Sequence, residues 1–200
     1  MAKFSYTKVN RENAIKSNGF ELLPKGAYVC KILKVAEVEN KSGKGKHVEI
    51  GFDIAEGEYK DFYMKQFEAN TSEDKKWPTD ARYNLGVPDD SSPEWLVQNW
   101  DTFWTNVEDS NNGYVFDGDG DKLKNKLFGG LFHNEQSEYN GNIYDHTRLK
   151  WTRAAQDVRD GKYGKLPNDK LITAATKSSG KKQDDTFMNV PEGTAEEIPF

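Results

Sequence analysis

The sequence has a single cysteine and no long apolar segment. Cys30 is the only cysteine among 200 residues, so an intramolecular disulfide and zinc sites of the Cys-x-x-Cys type are both excluded. No apolar run approaches the roughly 20 residues that a membrane helix needs. The first residues, MAKFSYTKVNREN, lack the apolar segment of a secretory signal. We therefore expect a cytoplasmic protein without a membrane partner.

Recognisable catalytic and metal-binding motifs are also missing. DGDGD at 117–121 resembles the start of a calcium loop, but Lys122 and Phe128 stand where an EF-hand needs glycine and glutamate. The three histidines form no HExxH pattern, there is no GxSxG, and SGKGKH lacks the spacing of a phosphate-binding loop. We expect no enzyme activity, no cofactor and no metal.

Charge is unevenly distributed along the chain. The net charge is −5, and residues 183–200 hold five carboxylates with no lysine or arginine. The rest of the chain is therefore formally neutral, so the acidic pI does not argue against a polyanionic ligand there. Aromatic residues make up 12% of the chain, more than a disordered chain would carry.

Hydrophobic patterning predicts five strands. Residues 27–38 form the first, with a bulge near Ile32 and Leu33, and 47–54 form the second by strict alternation. Residues 59–67 are predicted as a less amphipathic third strand. The last two strands, 126–135 and 142–151, are joined by an Asn-Gly hairpin turn, and the glycines at 129 and 130 indicate a bend.

Helical signals follow a polar, turn-rich connection at residues 70–91. Ser92 is predicted as the N-cap and Pro93 as the first residue of a helix whose apolar stripe runs from Leu96 to Val107. Residues 152–164 can form a short closing helix, and the sequence from Leu166 onward has the composition of a flexible tail.

This order predicts an all-β protein with helical insertions. Three strands, a helix and two strands match the five-stranded OB-fold barrel, with a helix between strands 3 and 4 and a disordered acidic C-terminal tail. Another small antiparallel barrel would fit the same pattern. We predict an N-terminal arm at 1–20, the OB-fold domain at 21–163, and a linker and tail at 164–200.

Several aromatic and basic residues could contact a single nucleic-acid strand, because cations follow phosphates and rings stack on bases. For each, an ordinary solvated or core position is the alternative. The candidates are Lys41, Lys44 and Lys46 in the first loop, Tyr59, Tyr63, Lys65 and Phe67 on the third strand, Trp77 in the connection, Tyr139 at the hairpin tip, and Tyr144, Arg148 and Lys150 on the fifth strand.

The last five residues carry the most specific signal. Glu196, Glu197, Ile198, Pro199 and Phe200 resemble the C-terminus of bacterial and phage single-stranded DNA-binding proteins, in which acidic residues precede Ile-Pro-Phe. Residues 20–163 resemble the phage-encoded group of these proteins through spaced residues rather than a sharp motif. The acidic run is shorter than in the family and uses glutamate where the family usually has aspartate.

The resemblance implies a protein that coats single-stranded DNA with little sequence specificity. It also implies that residues 196–200 recruit replication, recombination or repair proteins. A homo-oligomer, if formed, would present several tails and bind such partners with avidity. Two alternatives stay open at this stage: an OB-fold adaptor between proteins that does not bind DNA, and a phage recombination enzyme or nuclease.

Overall fold

A five-stranded antiparallel sheet organises the chain in the computed structural model, which describes residues 21–43 and 45–172. The strands lie in the order β3-β2-β1-β4-β5, and the fold is mostly β with three helices. The strands are β1 Ala27–Glu39, β2 Lys46–Ile54, β3 Arg82–Val87, β4 Leu127–Tyr139 and β5 Asn142–Arg153. The helices are α1 Phe62–Ala69, α2 Glu94–Ser110 and α3 Ala155–Arg159, with 3-10 turns at Thr79–Ala81 and Gly120–Leu123.

The first two strands confirm the sequence pattern. The register of β1 against β2 shifts between Ile32 and Lys34, which makes Leu33 the extra residue of a bulge. On β2 the four alternating apolar residues are all buried: Val48, Ile50, Phe52 and Ile54. This face packs against Phe103, Phe128 and Phe132 in an aromatic core.

The hairpin between β4 and β5 is also confirmed. Asn140 and Gly141 both have positive φ, 50° and 79°, as the two central residues of a type I′ turn require. At Gly129 an added Cβ would lie 2.6 Å from Val158 Cγ2, so the glycine lets α3 pack directly on β4.

The predicted third strand is wrong, because residues 62–69 form helix α1. The cause lies outside the segment. The buried Asp53 at the end of β2 accepts hydrogen bonds from the backbone N–H groups of Tyr63, at 3.0 Å, and Met64, at 3.1 Å. This carboxylate satisfies donors of the first helical turn that sequence periodicity alone does not reveal.

The true third strand lies in the segment predicted as a polar connection. Strand β3 pairs along β2 from Val87 opposite Lys46 to Arg82 opposite Gly51. Its inward residues Tyr83 and Leu85 pack on the core, while its other face is polar. Only six residues long and without strong β-branched enrichment, it lacked a clear strand signal.

Helices α2 and α3 form where the sequence predicted helices. Helix α2 begins at Glu94 with Pro93 in the cap position, and Ser92 bonds to Asp89 instead of capping the helix. Phe103, Trp104 and Val107 are its buried residues. In the chain, α2 lies between β3 and β4.

Residues 164–172 fall within the segment predicted as linker, and residues 168–172 lie against β4. The backbone N–H of Gln136 donates to Lys170 O at 2.9 Å, and that of Lys170 donates to Asn134 O at 2.9 Å. The predicted N-terminal arm and the acidic tail lie outside the described residues. Within residues 21–43 and 45–172, no helix is long and apolar enough to cross a membrane.

Candidate nucleic-acid interface

The two edge strands of the sheet, β3 and β5, flank a cleft of about 280 Å³. We call it the β3–β5 cleft. Strand β5 and helix α2 supply most of its wall, and β3 supplies one aromatic ring. Its lining residues are Tyr83, Asn99, Thr102, Lys150, Trp151, Thr152 and Arg153.

A bulge in β5 orients the tryptophan of this cleft. Trp151 pairs with Leu131, but Leu149 pairs with the next residue of β4, Phe132, so Lys150 is an extra residue. The bulge reverses the side-chain alternation: Leu149 and Thr152 are buried, whereas Trp151 is 44% exposed. Strict alternation along β5 would put Trp151 on the same face as Leu149, and the bulge turns it to the opposite face.

Two cations lie on either side of Trp151 in the chain. Among the described residues, neither Lys150 nor Arg153 takes part in an ion pair within 4.0 Å. Arg153 Nη1 donates to the carbonyl of Thr152 at 2.7 Å, which holds the guanidinium close to the strand. The cleft therefore combines an exposed ring with two cations that lie more than 4.0 Å from every carboxylate the structure describes.

The opposite wall of the cleft is held in place by the core. The Tyr83 ring stacks on Phe103 of α2, with centroids 5.6 Å apart and an interplanar angle of 22°. Burial raises the pKa of Tyr83, so the phenol stays neutral at physiological pH. Asn99 and Thr102 are exposed on α2 and offer an amide and a hydroxyl to a ligand.

The basic first loop is less available than its sequence indicates. Lys41 is exposed, whereas Lys46 forms an ion pair with Glu37 at 2.6 Å that raises the pKa of the lysine. Lys44 lies outside the described residues. Of the three lysines, only Lys41 is described as an exposed cation outside an ion pair.

The candidates predicted on the third strand lie on or beside α1. Tyr63 is only 2% exposed, and Tyr59 is half-buried with its ring 5.8 Å from that of Tyr28. Lys65 is exposed, and its ammonium donates to the carbonyl of Lys60 at 2.8 Å. Phe67 is half-buried.

Trp77 belongs to the core rather than to a stacking surface, which corrects its interpretation as a stacking platform. It is 4% exposed, its ring lies 5.7 Å from that of Phe67, and its indole N–H donates to Ala81 O at 3.3 Å. A ring enclosed in this way has no free face for a base.

The β4–β5 hairpin exposes aromatic rings but not its arginine. Tyr139 and Tyr144 are both exposed. Arg148 Nε lies 3.5 Å from Asp80 and 3.8 Å from Glu135, so its charge is shared between two carboxylates. Burial tends to raise the pKa of Glu135, but the hydrogen bond from Lys170 and the charges of Lys170, Arg148 and His133 lower it.

Within the described part of the chain, the cleft brings one of the predicted residues, Lys150, together with residues that the sequence did not indicate, among them Asn99, Thr102, Trp151 and Arg153. Their proximity depends on a bulge and on the packing of α2, neither of which has a local sequence signature. In the described part of the chain, no group of three or more His, Cys, Asp or Glu side chains is arranged to hold a metal ion. No protein-family model matches this chain, and a comparison with curated proteins finds no match.

Proposed function

We propose that this chain is an OB-fold protein that binds single-stranded DNA with little sequence specificity, using the β3–β5 cleft. The sheet order supports the fold, since β3 and β5 are the two edges that would meet if the sheet closed into a five-stranded barrel. Asp80, next to β3, and His146 of β5 already lie 3.0 Å apart. The observation that carries the function is the exposed Trp151 between Lys150 and Arg153.

Each part of the cleft has a defined role in this proposal. Lys150 and Arg153 neutralise successive phosphates, and Trp151 stacks on a base. A base of any identity offers a π-face to Trp151, and a phosphate carries no sequence information, so such binding is tolerant of sequence. Asn99 and Thr102 can donate hydrogen bonds to the sugar–phosphate backbone.

The path of the strand would continue along β5 toward the hairpin. Tyr144 is seven residues from Trp151, about 23 Å at the rise of an extended strand. Its exposed ring could take a second base of the same DNA strand. Tyr139 at the hairpin tip and Lys41 in the first loop extend this surface, and the other exposed candidates stay predictions.

The decisive variants remove the ring and the charges separately. Trp151→Ala should weaken binding to oligo-dT by about 1–3 kcal/mol, roughly five- to 150-fold. Trp95→Ala is the matched control, because Trp95 is 61% exposed on α2 and outside the cleft. Equal losses for the two variants would refute the assignment of the cleft.

The effect of removing a positive charge is measured by how strongly the affinity for oligo-dT depends on salt concentration. The plot of log affinity against log salt has a negative slope. Lys150→Gln and Arg153→Gln should each make it shallower by about 0.7, since each removes one phosphate contact on a single strand. Lys124→Gln, at an exposed position outside the cleft, should leave the slope unchanged. A slope that is the same in all three variants would contradict the phosphate contacts.

Recruitment of replication, recombination or repair proteins through Glu196–Phe200 is a separate proposal, and these residues lie outside the described structure. Deleting residues 198–200 should weaken the binding of such a partner while oligo-dT affinity stays equal or rises. Weaker DNA binding after the deletion would instead make the tail part of the DNA site.

A further inference from the structure

A second recess lies between helix α1 and the hairpin end of β5. It has a volume of about 250 Å³, and we call it the α1 cavity. Leu23, Phe62 and Phe67 form its apolar wall, while Tyr63, Asp80 and His146 give it a polar side. The β3–β5 cleft does not share any of these residues.

The Tyr63 hydroxyl is the unexplained group of this cavity. Its oxygen is buried and has no hydrogen-bond partner among the described residues, although Tyr63 is only 2% exposed. Burial raises the pKa of Tyr63, and the charge of Asp80 is the next largest cause, so the hydroxyl lies within electrostatic reach of that carboxylate. Because a buried hydroxyl without a partner is destabilising, a ligand that satisfies it gains a corresponding advantage.

Asp80, which lines the same cavity, retains acceptor capacity. Its carboxylate contacts His146 Nδ1 at 3.0 Å and Arg148 Nε at 3.5 Å. A carboxylate has about four lone-pair sites, so these two neighbours leave room for another donor. The polar side of the cavity therefore suits a ligand that carries an N–H donor, with the Tyr63 hydroxyl able to donate or accept alongside it.

The volume limits the ligand to a single small ring system. Sites for drug-sized molecules typically enclose about 300–1,000 Å³, and this cavity is smaller. Its apolar and aromatic wall favours a flat ring over a charged chain. Thr147, which also lines the cavity, is four residues from Trp151, about 13 Å along β5, so a bound DNA strand of a few nucleotides is long enough to span both sites.

From this geometry we propose that the α1 cavity takes one unstacked base of the bound DNA strand and prefers cytosine or adenine. This inference rests on the proposed function. The exocyclic amino group of cytosine or adenine is a donor, whereas uracil and thymine present a carbonyl oxygen at the same position. Facing Asp80, the amino group would donate a hydrogen bond, and the ring nitrogen beside it would accept one from the Tyr63 hydroxyl. Uracil, thymine and guanine present the reverse order, a carbonyl oxygen beside a ring N–H, so their oxygen would meet the Asp80 carboxylate and the base would not be held in this position.

The test compares oligo-dC with oligo-dU of equal length, because these bases have the same ring and neither carries the thymine methyl group. The wild-type chain should bind oligo-dC about two- to tenfold more tightly than oligo-dU, the effect of one hydrogen bond worth about 0.5–1.5 kcal/mol. Tyr63→Phe removes only a hydroxyl that makes no described bond, so it should fold normally. It should weaken oligo-dC binding by that factor and leave oligo-dU binding unchanged.

Tyr114→Phe is the matched control. The Tyr114 hydroxyl is likewise buried without a partner in the described chain, but it lies outside the cavity. This variant should keep the preference for oligo-dC. Two results would overturn the base pocket and leave the proposed function intact. One is equal affinity of the wild type for the two oligonucleotides, and the other is an equal effect of Tyr63→Phe on the binding of both. Failure to bind either oligonucleotide at low salt would overturn the proposed function itself.

Discussion

The carboxylate of Asp53 offers the sharpest test of why α1 is a helix. Asp53 is fully buried, and its Oδ1 accepts from the backbone N–H groups of Ile54, at 2.8 Å, and Tyr63, at 3.0 Å. Its Oδ2 accepts from Met64 N–H at 3.1 Å. Asp53→Ala removes the acceptor of all three groups. Each buried donor left unsatisfied costs about 1–3 kcal/mol, and water can reach part of the helix end. We therefore expect the free energy of unfolding to fall by about 3–5 kcal/mol.

A second variant separates the hydrogen bonds from the charge. Burial raises the pKa of Asp53 despite its three backbone bonds and the nearby charge of Lys31, so the ionised carboxylate carries a net penalty in the fold. Asp53→Asn keeps one acceptor oxygen and removes the charge. It also turns an NH2 donor toward the Met64 N–H, which the relief of the charge offsets only in part. Its free energy of unfolding near pH 7 should therefore fall by less than that of Asp53→Ala, by about 1–2 kcal/mol.

The pH dependence has a defined sign. Because the folded pKa of Asp53 lies above the ordinary value of 3.8, the folded state holds the proton more tightly than the unfolded state. The stability of the wild type relative to Asp53→Asn should therefore fall as pH rises from about 3.8 through the raised pKa, and then level off.

Chemical denaturation followed by circular dichroism measures all three chains across pH. Asp101→Ala, at an exposed position on α2, is the control for loss of an aspartate and should change stability little. A loss below about 1 kcal/mol for Asp53→Ala would refute the capping role. A wild type that gains stability over Asp53→Asn with rising pH would refute the burial penalty.

Two further predictions concern packing and the ion pair of the buried Glu135 with the exposed Lys170. Gly129→Ala should lower the free energy of unfolding by about 1–3 kcal/mol, measured by thermal or denaturant unfolding, since its Cβ would meet Val158 at 2.6 Å. Gly51→Ala is the control and should cost less, because the nearest contact of its Cβ is 3.7 Å away. Equal losses for the two variants would contradict the close packing of α3. Because the pKa of Glu135 is lowered in the folded state, its contribution to the free energy of unfolding is present above the ordinary pKa of 4.5 and is lost as pH falls through the folded pKa. On acidification the wild type should therefore lose stability relative to Glu135→Gln in the same unfolding assay. A difference between the two chains that does not change with pH would contradict the pairing with Lys170.

Local sequence signals predicted the elements that depend on local chemistry. The alternation in β2, the bulge at Leu33, the Asn140–Gly141 turn and the apolar stripe of α2 all have causes within a few residues, and each is confirmed. Helix α1 was missed because its cap, Asp53, lies ten residues before Tyr63. Strand β3 was missed because its pairing with β2, rather than its own composition, defines it.

The candidate site was harder to predict for the same reason. Strict alternation from Leu149 would point Trp151 toward the core, and only the bulge at Lys150 turns its ring outward. Conversely, Tyr63 and Trp77 looked available because their segment was predicted to be a strand and a loop, and the fold buries both. Arg148 was correctly placed on β5, but Asp80 from before β3 and Glu135 from the neighbouring strand β4 engage it.

The most direct test of single-stranded DNA binding is a titration of the full chain with oligo-dT at two salt concentrations, followed by tryptophan fluorescence. The proposal predicts saturable quenching at low salt, through stacking on Trp151, and an affinity that falls as salt rises because phosphate contacts release counterions. Trp151→Ala should lose most of the quenching, and Trp95→Ala should retain it. No binding of oligo-dT at low salt would contradict the account.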